Sequence, residues 1–138
     1  SGRPLSETAK ETANQEVAES SKLGDKIGQD NAGKIIYEVK KQVMEKKVSD
    51  PVEIRKIILQ VSADLNVKLA EEDISRIVEL MRRISDLNIN VSKLNEQLDN
   101  LQKGVQNFGT QTNQAKGFLQ KLADFIKNLF QGLVGVLS

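Results

Sequence analysis

Asp86, Asn88, Asn90 and Ser92 stand at the first, third, fifth and seventh positions of a calcium loop of the EF-hand type. Alternate oxygen ligands in such a loop wrap a hard cation, a glycine makes the turn, and a bidentate glutamate closes it at position twelve. Here Val91 sits at the glycine position and Gln97 at the glutamate position. Leu87, Ile89 and Val91 between the oxygens form an apolar rail. A capped helix junction accounts for the stretch better than a metal site.

Two other clusters carry charge enough for chemistry. Glu71-Glu72-Asp73 is a run of carboxylates, but consecutive helical residues point about 100° apart. The three do not converge on one ion, and a helix N-terminus that favours negative charge explains them. Arg82-Arg83 would make an anion site only with a third donor, and paired arginines are expected in the last turns of a helix. Lys40-Lys41 and Lys46-Lys47 are interspersed with Glu38 and Glu45 and read as a solvated face.

The chain has no Cys and no His. A thiol nucleophile, an imidazole base, a disulfide and a Cys/His zinc site are all excluded. An enzyme built on this sequence would use Asp and Glu alone, as glycosidases do. No carboxylate pair sits in an apolar, helix-breaking context that would raise one pKa, so a carboxylate hydrolase ranks last. The expectation is no catalytic site, no metal and no cofactor. Charge is balanced, with 20 basic and 19 acidic residues, and residues 1–50 carry nine of each sign. Nucleic-acid binding, which gathers basic residues on one face, is not expected.

The elements behind these clusters are helical. At 138 residues the chain fits one domain able to bury roughly two-thirds of its unfolded surface. The expected fold is all-α: a small bundle of about five to six helices with a heptad-patterned segment and a hydrophobic, amphipathic C-terminal helix. Ser1 and Gly2 look like an expression scar, with an upstream part missing, and residues 1–4 are set apart from the domain. The first residues hold no apolar run of the signal-peptide kind.

Ser6 starts a first helix and Gly24 stops it, with a weak stripe of Leu5, Val17 and Leu23 helped by Ala9, Ala13 and Ala18. It reads as peripheral. A turn follows over Gly24–Gly33, then a helix from about Asp30 to Lys47 with Ile35, Ile36, Val39 and Val43 on one face. Asp50-Pro51-Val52-Glu53 opens the third helix: Asp50 accepts from the Glu53 amide, Pro51 takes the first position, and Glu53 reaches back. Its stripe is Ile54, Ile57, Ile58, Val61 and Leu65, ending near Asn66.

A fourth helix starts around Ala70. From Ile77 the apolar residues Leu80, Ile84, Leu87, Val91, Leu94, Leu98, Leu101, Val105 and Phe108 alternate in steps of three and four, a heptad seam. The favoured reading breaks it at Asp86–Asn90, since Asn-Ile-Asn is a poor helix interior. The seam also offers self-association across residues 77–108. The helical domain is placed at 5–108, a polar linker at 109–114, and the last helix at 115–138.

That last helix is the most apolar part. Phe118, Leu122, Phe125, Ile126, Leu129, Phe130 and Leu133, with Lys121 and Lys127 beside them, are the candidate contacts for a partner or a membrane surface. Lys116, Gln120, Lys121, Asp124, Lys127, Asn128 and Gln131 interrupt the segment and leave no run of about 20 apolar residues to span a bilayer.

Residues 34–101 resemble a family of proteins, domain-of-unknown-function family 1002. The likeness lies in Gly33-Lys34-Ile35-Ile36-Tyr37-Glu38-Val39-Lys40, in Asp50-Pro51-Val52-Glu53-Ile54-Arg55, and in the stretch from Leu65-Asn66-Val67 to Asp86-Leu87-Asn88-Ile89-Asn90-Val91. Ala70 departs from a Ser or Thr, and Asn88 and Asn90 from acidic residues. The resemblance implies the C-terminal half of a secreted protein about twice this length, hence an extracellular or cell-envelope address, and carries no catalytic residues. The functional expectation is a non-enzymatic helical domain that contacts an unknown protein partner, with peripheral membrane binding as the alternative.

Overall fold

The computed structural model describes the backbone of residues 5–104 and the side chains of residues 7–96. Four helices follow in order: α1 Leu5–Ile27, α2 Gln29–Lys46, α3 Pro51–Asp64 and α4 Glu71–Gly104. The fold is all-helical among the described residues, with four helices where five to six were expected for the chain. Part of that shortfall is one merger, at 86–90. The linker at 109–114 and the helix at 115–138 lie outside the described residues, as does the end of the domain from 105 to 108.

The expected turn over Gly24–Gly33 shrinks to a single residue. Gly28 has φ 92, a left-handed conformation that side chains with a Cβ rarely adopt. The backbone bonds barely pause there: Gly28 donates to Gly24 at 2.9 Å and Ala32 donates to Gly28 at 3.0 Å. The Asn31 side-chain amide takes the Ile27 carbonyl at 3.0 Å. Gly24, expected to be a stop, is an interior helical residue. A Cβ there would meet only the flexible tip of the Gln29 side chain, at 2.3 Å.

Every pair of helices is in contact except α1 with α3. Hence α2 and α4 form the central diagonal, flanked by α1 on one side and α3 on the other. The core contains Ile35, Ile36, Val39 and Val43 from α2 and Ile54, Ile57, Ile58 and Val61 from α3. From α4 come Ile74, Ile77, Leu80, Met81, Ile84, Leu87 and Val91. These are the 3.6-period stripes read from the sequence. Leu65, expected to extend the α3 stripe, is exposed.

Asp50 caps α3, but its carboxylate accepts from the Val52 amide at 2.9 Å and not from Glu53, which pairs with Lys56 at 3.3 Å instead. Asp50→Ala should therefore cost about 0.5–2 kcal/mol. Ile58→Ala, which empties a fully buried position, should cost about 2–5 kcal/mol. Urea melts of the two variants should rank them in that order.

Across Asp86–Asn90 the chain stays helical, so α4 is one helix of 34 residues. Arg82 and Arg83 consequently lie mid-helix, not in the last turns. The register between α1 and α4 follows from two contacts. Lys26 meets Glu72 at 2.7 Å, and Gln15, eleven residues back, meets Arg83, eleven residues on, at 2.6 Å. The helices are antiparallel, and the same step places Leu5 level with Lys93. From there α4 runs on to Gly104, roughly 16 Å at the helical rise.

Candidate functional site

Two features of the described residues stand apart from ordinary core packing. The first is a buried polar stripe on α1. Ala9, Thr12, Glu16, Ser20 and Leu23 face inward, spaced by three and four, while Val17, expected on the inner face, is 53% exposed. Glu16 and Lys40 lie twelve residues either side of Gly28, so the antiparallel hairpin brings them together. Lys40 Nζ donates to Glu16 Oε1 at 2.9 Å, and both side chains are almost wholly buried, at 5% and 0% exposure. Lys40 was expected on a solvated face; the structure places it in the interior because its counter-ion arrives from α1.

Glu16 Oε2 and Ser20 Oγ, one turn apart, have no partner among the described protein groups. Burial pushes the Glu16 carboxyl above the ordinary carboxylate range, and the attraction and hydrogen bond of Lys40 pull it back. A carboxyl with a raised pKa has the chemistry of a general acid, but Glu16 is sealed. It lines neither of two clefts near the C-terminal end of α3. The pair reads as a register device that fixes α1 against α2.

Outside that stripe lies an ion network. Lys26 Nζ reaches Glu72 at 2.7 Å and buried Asp73 at 3.2 Å. Asp73 also receives Arg76, which meets Glu19 at 3.3 Å. Glu71 turns the other way, to Arg55 at 2.6 Å. The acidic run thus divides between α1 and α3 and does not close on one ion. Arg82 and Arg83 share Glu79, at 2.7 and 3.3 Å, so neither forms an anion pocket. The Arg82 hydrogen bond holds Glu79 below the ordinary carboxylate range. Glu79 therefore adds stability above its unfolded pKa and loses it as pH falls through its lower folded value, with the small size usual at a surface.

Asp86 pairs with Arg82 at 3.6 Å, and Asn88 and Asn90 are helical. A continuous helix spreads these side chains around its axis, which is not the arrangement of a calcium loop. Thermal unfolding in millimolar calcium and in chelator should coincide, since a binder would raise the transition by mass action. An upward shift with calcium would overturn this placement.

The second feature is exposed apolar surface. Val52 and Leu59, seven residues apart on α3, are 60% and 43% exposed. Tyr37 and Leu65 flank a cleft of about 360 Å³ between α2 and the end of α3, with Lys34, Glu38, Gln42, Val61 and Asp64. Glu38 and Asp64 each already accept from a glutamine amide, Gln42 and Gln60. The apolar repeat of α4 also continues: Val91 is buried, Leu94 is half-buried, and Leu98 and Leu101 follow in phase on the part of the helix beyond Leu5. The contact candidates Phe118, Lys121, Leu122, Phe125, Ile126, Lys127, Leu129, Phe130 and Leu133 lie outside the described residues. Glu16, Lys40 and Tyr37 are what the sequence reading missed; the three-and-four spacing of Thr12, Glu16 and Ser20 was the signal for the first.

The family model described as Protein of unknown function (DUF1002) matches residues 1–101. The chain belongs to this family. It is also similar to the Uncharacterized protein YpuA of Bacillus subtilis (strain 168), at 31% identity over 139 aligned positions. That match covers 100% of the chain and 48% of the relative, so the chain spans about half the length of the protein it resembles. No solved structure matches it. The family match takes in all four helices up to residue 101, including the buried Glu16–Lys40 pair and most of the projecting end of α4.

Proposed function

We propose that this member of the family is a non-catalytic helical interaction domain, in which the four-helix body is a scaffold and the far end of α4 carries the contact. One observation supports this above others: α4 continues as a single helix beyond the level of Leu5 while keeping its apolar repeat at Leu94, Leu98 and Leu101. An apolar seam that runs on past the described neighbouring helices is what a helix-mediated contact uses. The extracellular or envelope setting implied by the family resemblance belongs to the same proposal, with a protein as partner.

A second reading, peripheral membrane binding, draws on the sequence of residues 115–138, where Lys116, Lys121 and Lys127 stand against a single acidic residue, Asp124, among apolar residues three and four apart. Among the described residues no helix is long and apolar enough to cross a membrane, which leaves interfacial binding to be tested by itself. Co-sedimentation of residues 1–138 and 1–114 with anionic vesicles separates the two readings. The protein-contact domain leaves both in the supernatant; sedimentation that depends on 115–138 would overturn it in favour of lipid.

A further inference from the structure

We infer that Gly28 is a hinge on which α1 swings out of its own bundle and docks on a second copy of this chain, so that two chains exchange their first helices. The exchange is independent of the contact proposed at the end of α4.

The hinge is a single residue. Gly28 stands at φ 92 and ψ 144, close to a backbone region that only glycine occupies readily. Helical bonding runs up to it and away from it: Gly28 donates to Gly24, and Ala32 donates to Gly28. No side chain caps the first turn of α2. Returning this one residue to helical angles would join α1 and α2 into a helix from Leu5 to Lys46, about 60 Å long. The amides of Gln29, Asp30 and Asn31 would then reach the carbonyls of Asp25, Lys26 and Ile27, bonds that the hairpin forgoes.

Helix α1 is also the one that the apolar core needs least. Its buried apolar residues are Ala9 and Leu23, whereas α2, α3 and α4 interlock through isoleucine, valine, leucine and methionine. Polar contacts hold α1 in place instead. Lys40 meets Glu16 at 2.9 Å, Arg76 meets Glu19 at 3.3 Å, Lys26 meets Glu72 at 2.7 Å, and Arg83 meets Gln15 at 2.6 Å. These contacts specify a seat and are indifferent to which chain fills it.

The buried pair names the occupant. Opening α1 separates Glu16 from Lys40, and a buried charge left without its partner is strongly unfavourable. An opened α1 is therefore driven to a seat that offers the same lysine, and a second opened chain has one. Glu16 and Lys40 are equidistant from Gly28. Two straightened helices lying antiparallel about a two-fold axis beside that glycine bring each Glu16 back to a Lys40, now of the other chain.

The test uses the 138-residue chain. A Cβ at position 28 meets nothing within 4 Å, so Gly28→Ala acts through the backbone, straining the turn and suiting the continuous helix. Sedimentation equilibrium is expected to show the dimer dissociation constant lowered by about a hundredfold or more relative to the parent. Connectivity is read with Gln15→Cys/Arg83→Cys, a contacting pair in a chain without cysteine. Isolated dimer, diluted just before treatment with a short thiol-bridging reagent, should give covalently joined chains. Parent monomer carrying the same pair should give bridges within one chain. Refolding that parent from urea at high protein concentration is a second measurement, independent of whether Gly28→Ala folds, and should also yield joined dimer. A dimer whose bridges stay within one chain would mean side-by-side association and would remove the exchange. So would a Gly28→Ala protein that stays folded and monomeric, or a concentrated refolded parent with no joined dimer.

Discussion

Lys40→Met is expected to destabilise the domain by about 3–5 kcal/mol at neutral pH, one of the two largest losses predicted for a single substitution. Lys40 and Glu16 are both withdrawn from water. The substitution leaves a buried carboxylate with no cation at 2.9 Å and Oε2 already without a partner among the described groups. The loss has a predicted pH dependence. Burial already holds the Glu16 pKa above its unfolded value, and without Lys40 it rises further. A carboxyl raised on folding supports the folded state below the unfolded pKa, and that support is withdrawn as pH climbs through the folded pKa. The variant should therefore lie closest to the parent at mildly acidic pH and fall away towards neutrality. The double variant Glu16→Leu/Lys40→Met separates charge from packing. Replacing a buried pair by apolar side chains is usually neutral or stabilising by about 1–4 kcal/mol. Chemical denaturation across pH 4 to 8 reads all three proteins; a double variant as damaged as the single one would refute the account of the pair.

Asn88→Pro is expected to cost about 3 kcal/mol or more. Proline inside a helix removes one backbone bond, clashes with the preceding turn, and pushes the residue before it away from helical angles. That residue is Leu87, a fully buried member of the core. In the broken arrangement that the Asn-Ile-Asn sequence suggests, position 88 would lie in a junction, and proline would change stability by a few tenths of a kcal/mol. Calorimetric melting of the variant distinguishes the two arrangements without any partner or ligand.

The contrast between those arrangements shows where the sequence was legible. Helices α2 and α3 could be read because their inward faces are built from isoleucine and valine at helical spacing, and Asp50-Pro51 marks the start of α3. Helix α1 could not. Its inward face is Ala9, Thr12, Glu16, Ser20 and Leu23, small and polar enough to escape a hydropathy pattern, while Val17 drew attention to the outer side. Lys40 follows from the same cause. A buried lysine looks like a surface lysine until the single-residue turn at Gly28 brings Glu16 opposite. The continuity of α4 was hidden by local propensity. Asn88 and Asn90 disfavour helix weakly, by a few tenths of a kcal/mol each, and the burial of Leu87 and Val91 outweighs them. As for the contact surface, the heptad spacing was plain in the sequence. Only the antiparallel register with α1 shows that the seam continues past the level at which α1 begins.

The central claim is that α4 is one continuous helix that runs on past the level at which α1 begins. Spin labels at exposed Ser75 and at Lys103, introduced as cysteines, give the most direct test by pulsed electron resonance. Twenty-eight residues of uninterrupted helix separate the sites by about 42 Å, and the account predicts a single narrow distribution near that distance. A markedly shorter separation, or a broad distribution reaching well below it, would mean that the chain turns back at Asp86–Asn90 and would contradict the projecting helix on which the functional proposal stands.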